Sequence, residues 1–389
     1  MAVYSPNQDE YCDENCNNTA IRRDEGNHKK EELQKKSTEA SSETGCKKGR
    51  LWTLGPILIV ILCVIASQTN WHWLSSFTSN KLSPIENNDD EIYSAIGINA
   101  RYPYQLRPLK LGVEVFGLDL MDEKLLHDDD WLRAWLRQHL HTHRLLVFRH
   151  QRHPFDYHRQ MNITAWYGAL VEFGDWHPKK PHRFCARLSN AKNEGKTGAG
   201  TTGWHVDGTY FPHPSALSCY HMVEIPSNGG NTTRFVGLSE VYNRLTPLEQ
   251  NVWDKLYLTY RSGVEHPLVY QHPVTGNTTL LFHCNMNYAQ RVRLIDQGRT
   301  KQLNDDERGR LLRIFTEKIT VNNDELVYEH QWQPGDVIMT DNLAIAHEAG
   351  RDSGKPKETI GLRIFHRTTA HGSSKPTKKA HGRTEPVAH

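Results

Sequence analysis

Apolar and polar residues are distributed very unevenly along this chain. Residues 1–50 carry almost no large apolar side chains, and Lys29-Lys30, Lys35-Lys36 and Lys47-Lys48-Gly49-Arg50 have no helical face to bury. A segment of that composition cannot offset the entropy of ordering, so a disordered tail is predicted. Residues 51–74 then read LWTLGPILIVILCVIASQTNWHWL, with no Asp, Glu, Lys or Arg. No amphipathic period marks this run as a buried helix of a globular domain. The fifty polar residues before it argue against a cleaved signal peptide. It is predicted to be a single transmembrane helix, with Trp71 and Trp73 at an interface. Residues 75–95 form a polar stem linker, 96–370 a globular domain and 371–389 a polar, basic tail.

Within the globular part, apolar spacing predicts helices over 125–140 and 305–321. Residues 198–203 are a loop of Gly, Ala and Thr, and 204–211 reads as an extended segment closed by Pro212 and Pro214. Pro334-Gly335-Asp336 is a turn signal before a strand at 337–339, and Asp341-Asn342 turns the chain again. Residues 361–368 are strand-like, with Arg363, Phe365 and Arg367 on one face and Leu362, Ile364 and His366 on the other.

Charge adds an orientation. The net charge of +2 gives no footprint for nucleic acid. Lys47, Lys48 and Arg50 flank the apolar run on one side, and the other side has no basic residue before Lys81. The positive-inside rule places the N-terminus in the cytoplasm and the globular domain in a lumen or outside the cell, a type II arrangement. The short span suits the thinner membranes of the early secretory pathway. Of the seven cysteines, Cys185, Cys219 and Cys284 lie in the globular part, too few for a disulfide framework. Cys12 and Cys16 lack a second ligand pair for zinc. Asn162, Asn231 and Asn277 head sequons in the globular part, and Asn277, after a Thr-Gly turn, is the best glycan acceptor.

The candidate chemistry rests on His205, Asp207 and His347. Two imidazoles and a carboxylate form a facial triad, which leaves three positions open on an octahedral Fe(II). His-x-Asp alone is weak in a chain with 23 histidines, and His127-Asp128-Asp129 is a second copy. That copy lies at a predicted helix start, where residues two apart diverge, and reads as a solvated acidic helix N-terminus. On an extended segment, His205 and Asp207 face one side. Arg363 on an inward strand face implies an anion. Arg367 is open to two readings: a ligand anion, or a structural carboxylate or exposed sheet edge.

These residues resemble the taurine dioxygenase (TauD/TfdA) family of Fe(II)/2-oxoglutarate-dependent oxygenases over most of 100–370. Trp204-His205-x-Asp207 resembles its first metal motif, and Gly335-Asp336 through Asp341-Asn342 to His347 its second. Gly229-Gly230-Asn231-Thr232 resembles the segment whose threonine binds 2-oxoglutarate. Residues 238–247 resemble the helix after it, and His272-Pro273-Val274-Thr275-Gly276 the central hairpin. Arg363 and Arg367 match the last strand, whose first arginine holds 2-oxoglutarate and whose second often meets the substrate anion. Phe173 to Pro178 resembles a segment with a substrate-contacting histidine, though His177 reads equally as an ordinary loop residue. The residues between His347 and Arg363 exceed the family spacing, and 352–357 reads as a polar surface loop.

The resemblance implies a mainly β fold with flanking helices, a double-stranded β-helix or jelly roll. It implies Fe(II) on His205, Asp207 and His347, and 2-oxoglutarate on Arg363 and Thr232. A small, anionic substrate and O2 would complete the reaction, with succinate and CO2 released. Three alternatives stay open: an inactive membrane-anchored binding protein, a luminal oxygenase modifying protein, glycan or lipid, and a zinc hydrolase. Substrate identity and oligomeric state are left open.

Overall fold

Some helix starts are fixed by capping side chains. Asn304 and Glu307 exchange side-chain-to-backbone hydrogen bonds in a capping box that opens the helix Asp305–Ile319. Such a cap contributes about 1 kcal/mol. The predicted helix over 125–140 is instead two helices, Glu123–Leu126 and Asp129–His143. His127 closes the first helix and is exposed, while Asp129 accepts from Arg159 Nη1 at 2.7 Å. Leu132, Trp135, Leu136 and Leu140 recur at helical spacing on the longer helix and are all buried.

The computed structural model describes residues 102–378, except 153, 175 and 176. The predicted tail, transmembrane run and stem (1–95), the first residues of the predicted domain and residues 379–389 of the predicted basic tail lie outside them. Among the described residues no helix is long and apolar enough to cross a membrane.

The fold is mainly β. A seven-stranded sheet runs in the order Gln105–Pro108, Val113–Phe116, Leu145–Phe148, Val337–Asp341, Ser215–Glu224, Ile364–His371, Ala186–Ser189. Val113–Phe116 and Leu145–Phe148 pair in parallel. Their crossover is supplied by the helices between them. Leu145–Phe148 reads LLVF and is buried throughout, because both faces of the sheet are covered. One face packs on the helices through Leu146, Phe148, Leu217 and Met339 against Leu132, Trp135 and Leu140. The other packs Leu145, Val147, Tyr220, Met222 and Ile338 against Phe235 and Ile345 of a three-stranded sheet. That sheet orders Val327–Gln331, Thr232–Gly237 and Ile345–Ala349. The candidate chemistry lies where the two sheets face each other.

One strand expectation fails locally. Residues 204–211 are not a strand: His205 forms isolated bridges and the chain turns from Asp207. Gly208 permits the turn with φ +75, and a Cβ there would stand 2.8 Å from Ser215 N. The segment 352–357 is exposed, as the surface-loop reading expects, except for the buried Ser353, and its last residue opens the helix Lys357–Ile360.

Candidate metal centre and cosubstrate pocket

His205 is the middle member of a three-chain ladder. It exchanges backbone hydrogen bonds with His347, N to O at 3.1 Å and 3.0 Å. On its other side it bridges His283. Directly opposed residues of antiparallel chains project to the same face. Asp207, two residues on and just before the turn at Gly208, presents its carboxylate to the same face. The ligand atoms of His205, Asp207 and His347 all lie within 4.8 Å of one another. His205 Nε2 is 3.8 Å from Asp207 Oδ1, and His347 Nε2 is 3.9 Å from Asp207 Oδ2.

Hydrogen-bond direction makes this set fit for a metal. The Gly203 carbonyl accepts from His205 Nδ1 at 2.8 Å. A proton on Nδ1 leaves the Nε2 lone pair free toward the other ligands. Burial, then the charge of His205, pushes His347 down to about 3, so it stays neutral and able to ligate. Burial likewise lowers His205. For Asp207 burial acts upward, but Arg367, His347 and His205 together hold its carboxyl below the usual range. The Ser218 hydroxyl donates to Asp207 Oδ2 at 2.8 Å. Asn342 clamps the backbone of the turn: its Oδ1 accepts from Asp207 N at 3.1 Å, and its Nδ2 donates to Asp207 O at 3.0 Å and Ser215 O at 2.6 Å.

A second set, His141, His272 and Asp341, is equally close-knit. Its protons argue the opposite way. His272 Nδ1 accepts from Val274 N and Thr275 N, at 3.2 Å and 3.1 Å. The proton therefore sits on Nε2, which donates to Asp341 Oδ1 at 3.1 Å. No lone pair is left there for a metal. This cluster ties the hairpin Val269–Gln271/Thr278–Leu280 to the end of the strand Val337–Asp341.

Arg363 is buried, and its guanidinium has no acidic partner among the described residues. Its Nε lacks a hydrogen bond, and the group lies over Phe365 at 4.6 Å. Burial alone pushes this arginine down to about 10. An uncompensated buried cation of this kind calls for an anion. It borders a cavity of about 470 Å³, with Phe365, Ser189, Thr201, Glu348 and Ser353 among the lining residues. Thr232 lies behind the same wall. Its carbonyl accepts from Gly350 N at 3.1 Å and from the Ser353 hydroxyl at 2.9 Å, and a Cβ at Gly350 would collide with its Oγ1. The residues that lengthen the chain between His347 and Arg363 thus form part of the cavity wall.

Arg367 has a carboxylate partner, as one of its two sequence readings allowed, and that partner is a ligand of the triad. Its Nη1 donates to Asp207 Oδ1 at 3.0 Å and Oδ2 at 3.2 Å. Its Nε is buried without a partner. His177 is differently placed: its Nδ1 accepts from Lys179 N at 3.1 Å and its Nε2 donates to Lys192 O at 2.9 Å. Both ring nitrogens serve its own loop region, which leaves neither for a substrate. Ser218 and His283 carry no motif signal, and Asn342 stands in the second metal motif only as a turn residue; their contacts alone show what the three do.

The family model "Taurine catabolism dioxygenase TauD, TfdA family" matches residues 104–369. An alkylsulfatase of Acinetobacter baylyi is 27% identical over 317 residues, covering 73% of this chain and 89% of the relative. An alpha-ketoglutarate-dependent sulfonate dioxygenase of Saccharomyces cerevisiae is 25% identical over 181 residues, 42% of this chain and 41% of the relative. The crystal structure of a taurine dioxygenase from Burkholderia xenovorans superposes with a TM-score of 0.54 at 26% identity, covering 69% of this chain and 90% of that one. The chain accordingly belongs to the TauD/TfdA family and is a dioxygenase dependent on Fe(II) and 2-oxoglutarate.

Proposed function

We propose that this enzyme hydroxylates a C–H bond of a small, anionic organic molecule, with Fe(II) held by His205, Asp207 and His347. Bound Fe(II), with 2-oxoglutarate and O2, supplies the oxidising power: one oxygen atom enters the C–H bond, the other enters succinate, and CO2 leaves. The protein's own residues bind and orient. Arg363 takes the far carboxylate of 2-oxoglutarate by a two-pronged hydrogen bond, with Thr232 beside it. Ser218 and Arg367 hold the Asp207 carboxylate, and Asn342 holds its backbone. The facing sheets are read as the double-stranded β-helix that encloses this chemistry and excludes water from it.

The observation that carries the anionic substrate is Arg367. It is a second enclosed guanidinium at the triad, and its buried Nε is still unpaired. The names of the two relatives, an alkylsulfatase and a sulfonate dioxygenase, point to anionic substrates in those proteins. The test is succinate release across organic sulfates, sulfonates and carboxylates, each beside the alcohol of the same carbon skeleton. Anions should stimulate turnover and the alcohols should not. Equal stimulation by alcohols would overturn the anionic reading and leave the enzyme class standing.

We further propose, from hydropathy and flanking charge, that residues 51–74 anchor the enzyme as a single-pass type II membrane protein. The catalytic domain would then lie in the lumen or outside the cell, with Asn277 the leading glycan acceptor; its side chain is exposed beside the hairpin turn.

A further inference from the structure

His283 is a third imidazole on the metal face, and the family chemistry leaves it unused. It opposes His205 in the ladder, flanked by Cys284 N to Trp204 O at 2.9 Å and Val206 N to Phe282 O at 3.2 Å. That makes the two residues a non-hydrogen-bonded pair, the register in which opposed side chains come closest. Their rings stack at 4.9 Å with 20° between planes, and Tyr288 covers the far side of His283 at 4.1 Å and 5°. The ring is only 4% exposed. Its Nδ1 accepts from Asn285 N at 3.1 Å, so the proton of the neutral ring lies on Nε2. That N–H has no acceptor among the described residues. With its lone pair committed to Asn285 N, His283 is a donor and not a fourth ligand; it also stands outside the close-set metal group.

A histidine that only filled space between two rings would need no donor, since phenylalanine would stack as well. The Nε2–H is not among the fully buried unpaired atoms, so this donor is open to a partner that arrives with a ligand. The surroundings indicate what kind. The Arg367 guanidinium interacts electrostatically with Tyr210 and Tyr288, and those two phenols with each other. Tyr288 in turn lies flat on His283. This side of Asp207 is therefore polar and carries one cation, opposite in character to an apolar substrate wall.

We propose that His283 is a specificity-determining residue whose Nε2–H binds an oxygen of the substrate's anionic head group, alongside Arg367. This rests on the anionic-substrate reading above and assigns one donor of that site. The test uses the full chain in detergent, loaded with Fe(II) and 2-oxoglutarate without O2. Hexyl sulfate, hexanesulfonate and hexan-1-ol are titrated while the visible charge-transfer band of the iron complex is followed. His283→Phe keeps the stacking surface and removes the donor. It should weaken hexyl sulfate and hexanesulfonate binding by about tenfold or more, as expected for a hydrogen bond to a charged group. Its affinity for Fe(II) and 2-oxoglutarate should stay near that of the wild type, and His283→Gln should recover part of the anion affinity.

Wild-type anion affinity in His283→Phe would overturn the proposal. So would a parallel loss of Fe(II) affinity, which would mean that the ring acts through His205. Ring 15N spectra of the metal-free chain give an independent readout, and a proton on Nδ1 of His283 would also overturn it. The two readings separate cleanly. If Arg367→Met loses the anion response and His283→Phe keeps it, the anionic substrate stands and His283 falls. A wild type silent to both anions overturns both.

Discussion

At the scale of single residues, two groups of two histidines and an aspartate differ chiefly in where one ring proton sits. A carbonyl faces Nδ1 of His205, whereas two backbone N–H groups face Nδ1 of His272. Only the first arrangement frees Nε2 for a metal. His205→Ala or Asp207→Ala should therefore abolish Fe(II) binding, while His141→Ala keeps one Fe(II) per chain. Anaerobic Fe(II) titration decides this, and retained binding in His205→Ala would sink the triad assignment. Arg363 is the other residue whose environment is one-sided. Arg363→Ala should raise the 2-oxoglutarate requirement roughly ten- to a hundredfold, the value of about 1.5–3 kcal/mol for hydrogen bonds to a charged group. Lysine should restore only part, lacking the planar fork. If the Ala variant titrates like the wild type, Arg363 does not hold the cosubstrate. The motif residues could be singled out from sequence because their types and spacing are specific. Ser218 and His283 could not be, nor could the clamp that the turn residue Asn342 makes, because each acts through a contact with a residue distant in the chain.

At the scale of elements, the metal face depends on a turn held from outside. Asp207 follows a single bridge residue, and Asn342, from the far end of another strand, binds the turn at three backbone atoms. Asn342→Ala should lower Fe(II) affinity by about 10–100-fold, the usual cost of losing the support behind a ligand. The loss should exceed any change in near-ultraviolet circular dichroism; unchanged affinity would show that Gly208 and Ser218 suffice. Helix Asp305–Ile319 was legible because its apolar residues recur at helical spacing, and the hairpin around His272 through the family resemblance of its turn segment. The extended reading of 204–211 failed for the converse reason. Alternation of side chains suggested a strand, but the neighbouring chains pair with it at one residue only. The helix over 125–140 is broken because Asp122 caps a separate short helix that ends at His127, where apolar spacing alone suggested one helix.

At the scale of the whole molecule, buried neutral histidines set a pH limit. Burial, then Arg187, pushes His366 down to about 4, and burial, then His143, does the same to His139. Both would titrate near 6.5 in the unfolded chain. Folded values below unfolded ones mean that their stability contribution is complete above about pH 6.5 and is lost as pH falls toward 4. For His366 alone the loss is about 3 kcal/mol. Calorimetry from pH 7 to 4.5 should show Tm falling with proton uptake on unfolding, and a flat Tm would count against it. Topology is tested in intact microsomes: the N-terminus should be cleaved by added protease, the catalytic domain protected, and the full chain shortened in mass by glycosidase. A protease-sensitive, unglycosylated domain would reverse the orientation. What the sequence determined by itself was local or compositional: the charge-free apolar run, the polar tail, the apolar spacing of the helix at 305–319, and the order of His205, Asp207, His347 and Arg363 along the chain. What only the tertiary structure decided was relational: which His-Asp group presents free lone pairs, that Arg367 grips Asp207, and that His283 faces His205. Periodicity reports on neighbours within a turn or a pleat. Ring tautomers, ion pairs and cross-chain register depend on backbone groups brought together from distant parts of the chain, and no local pattern encodes them.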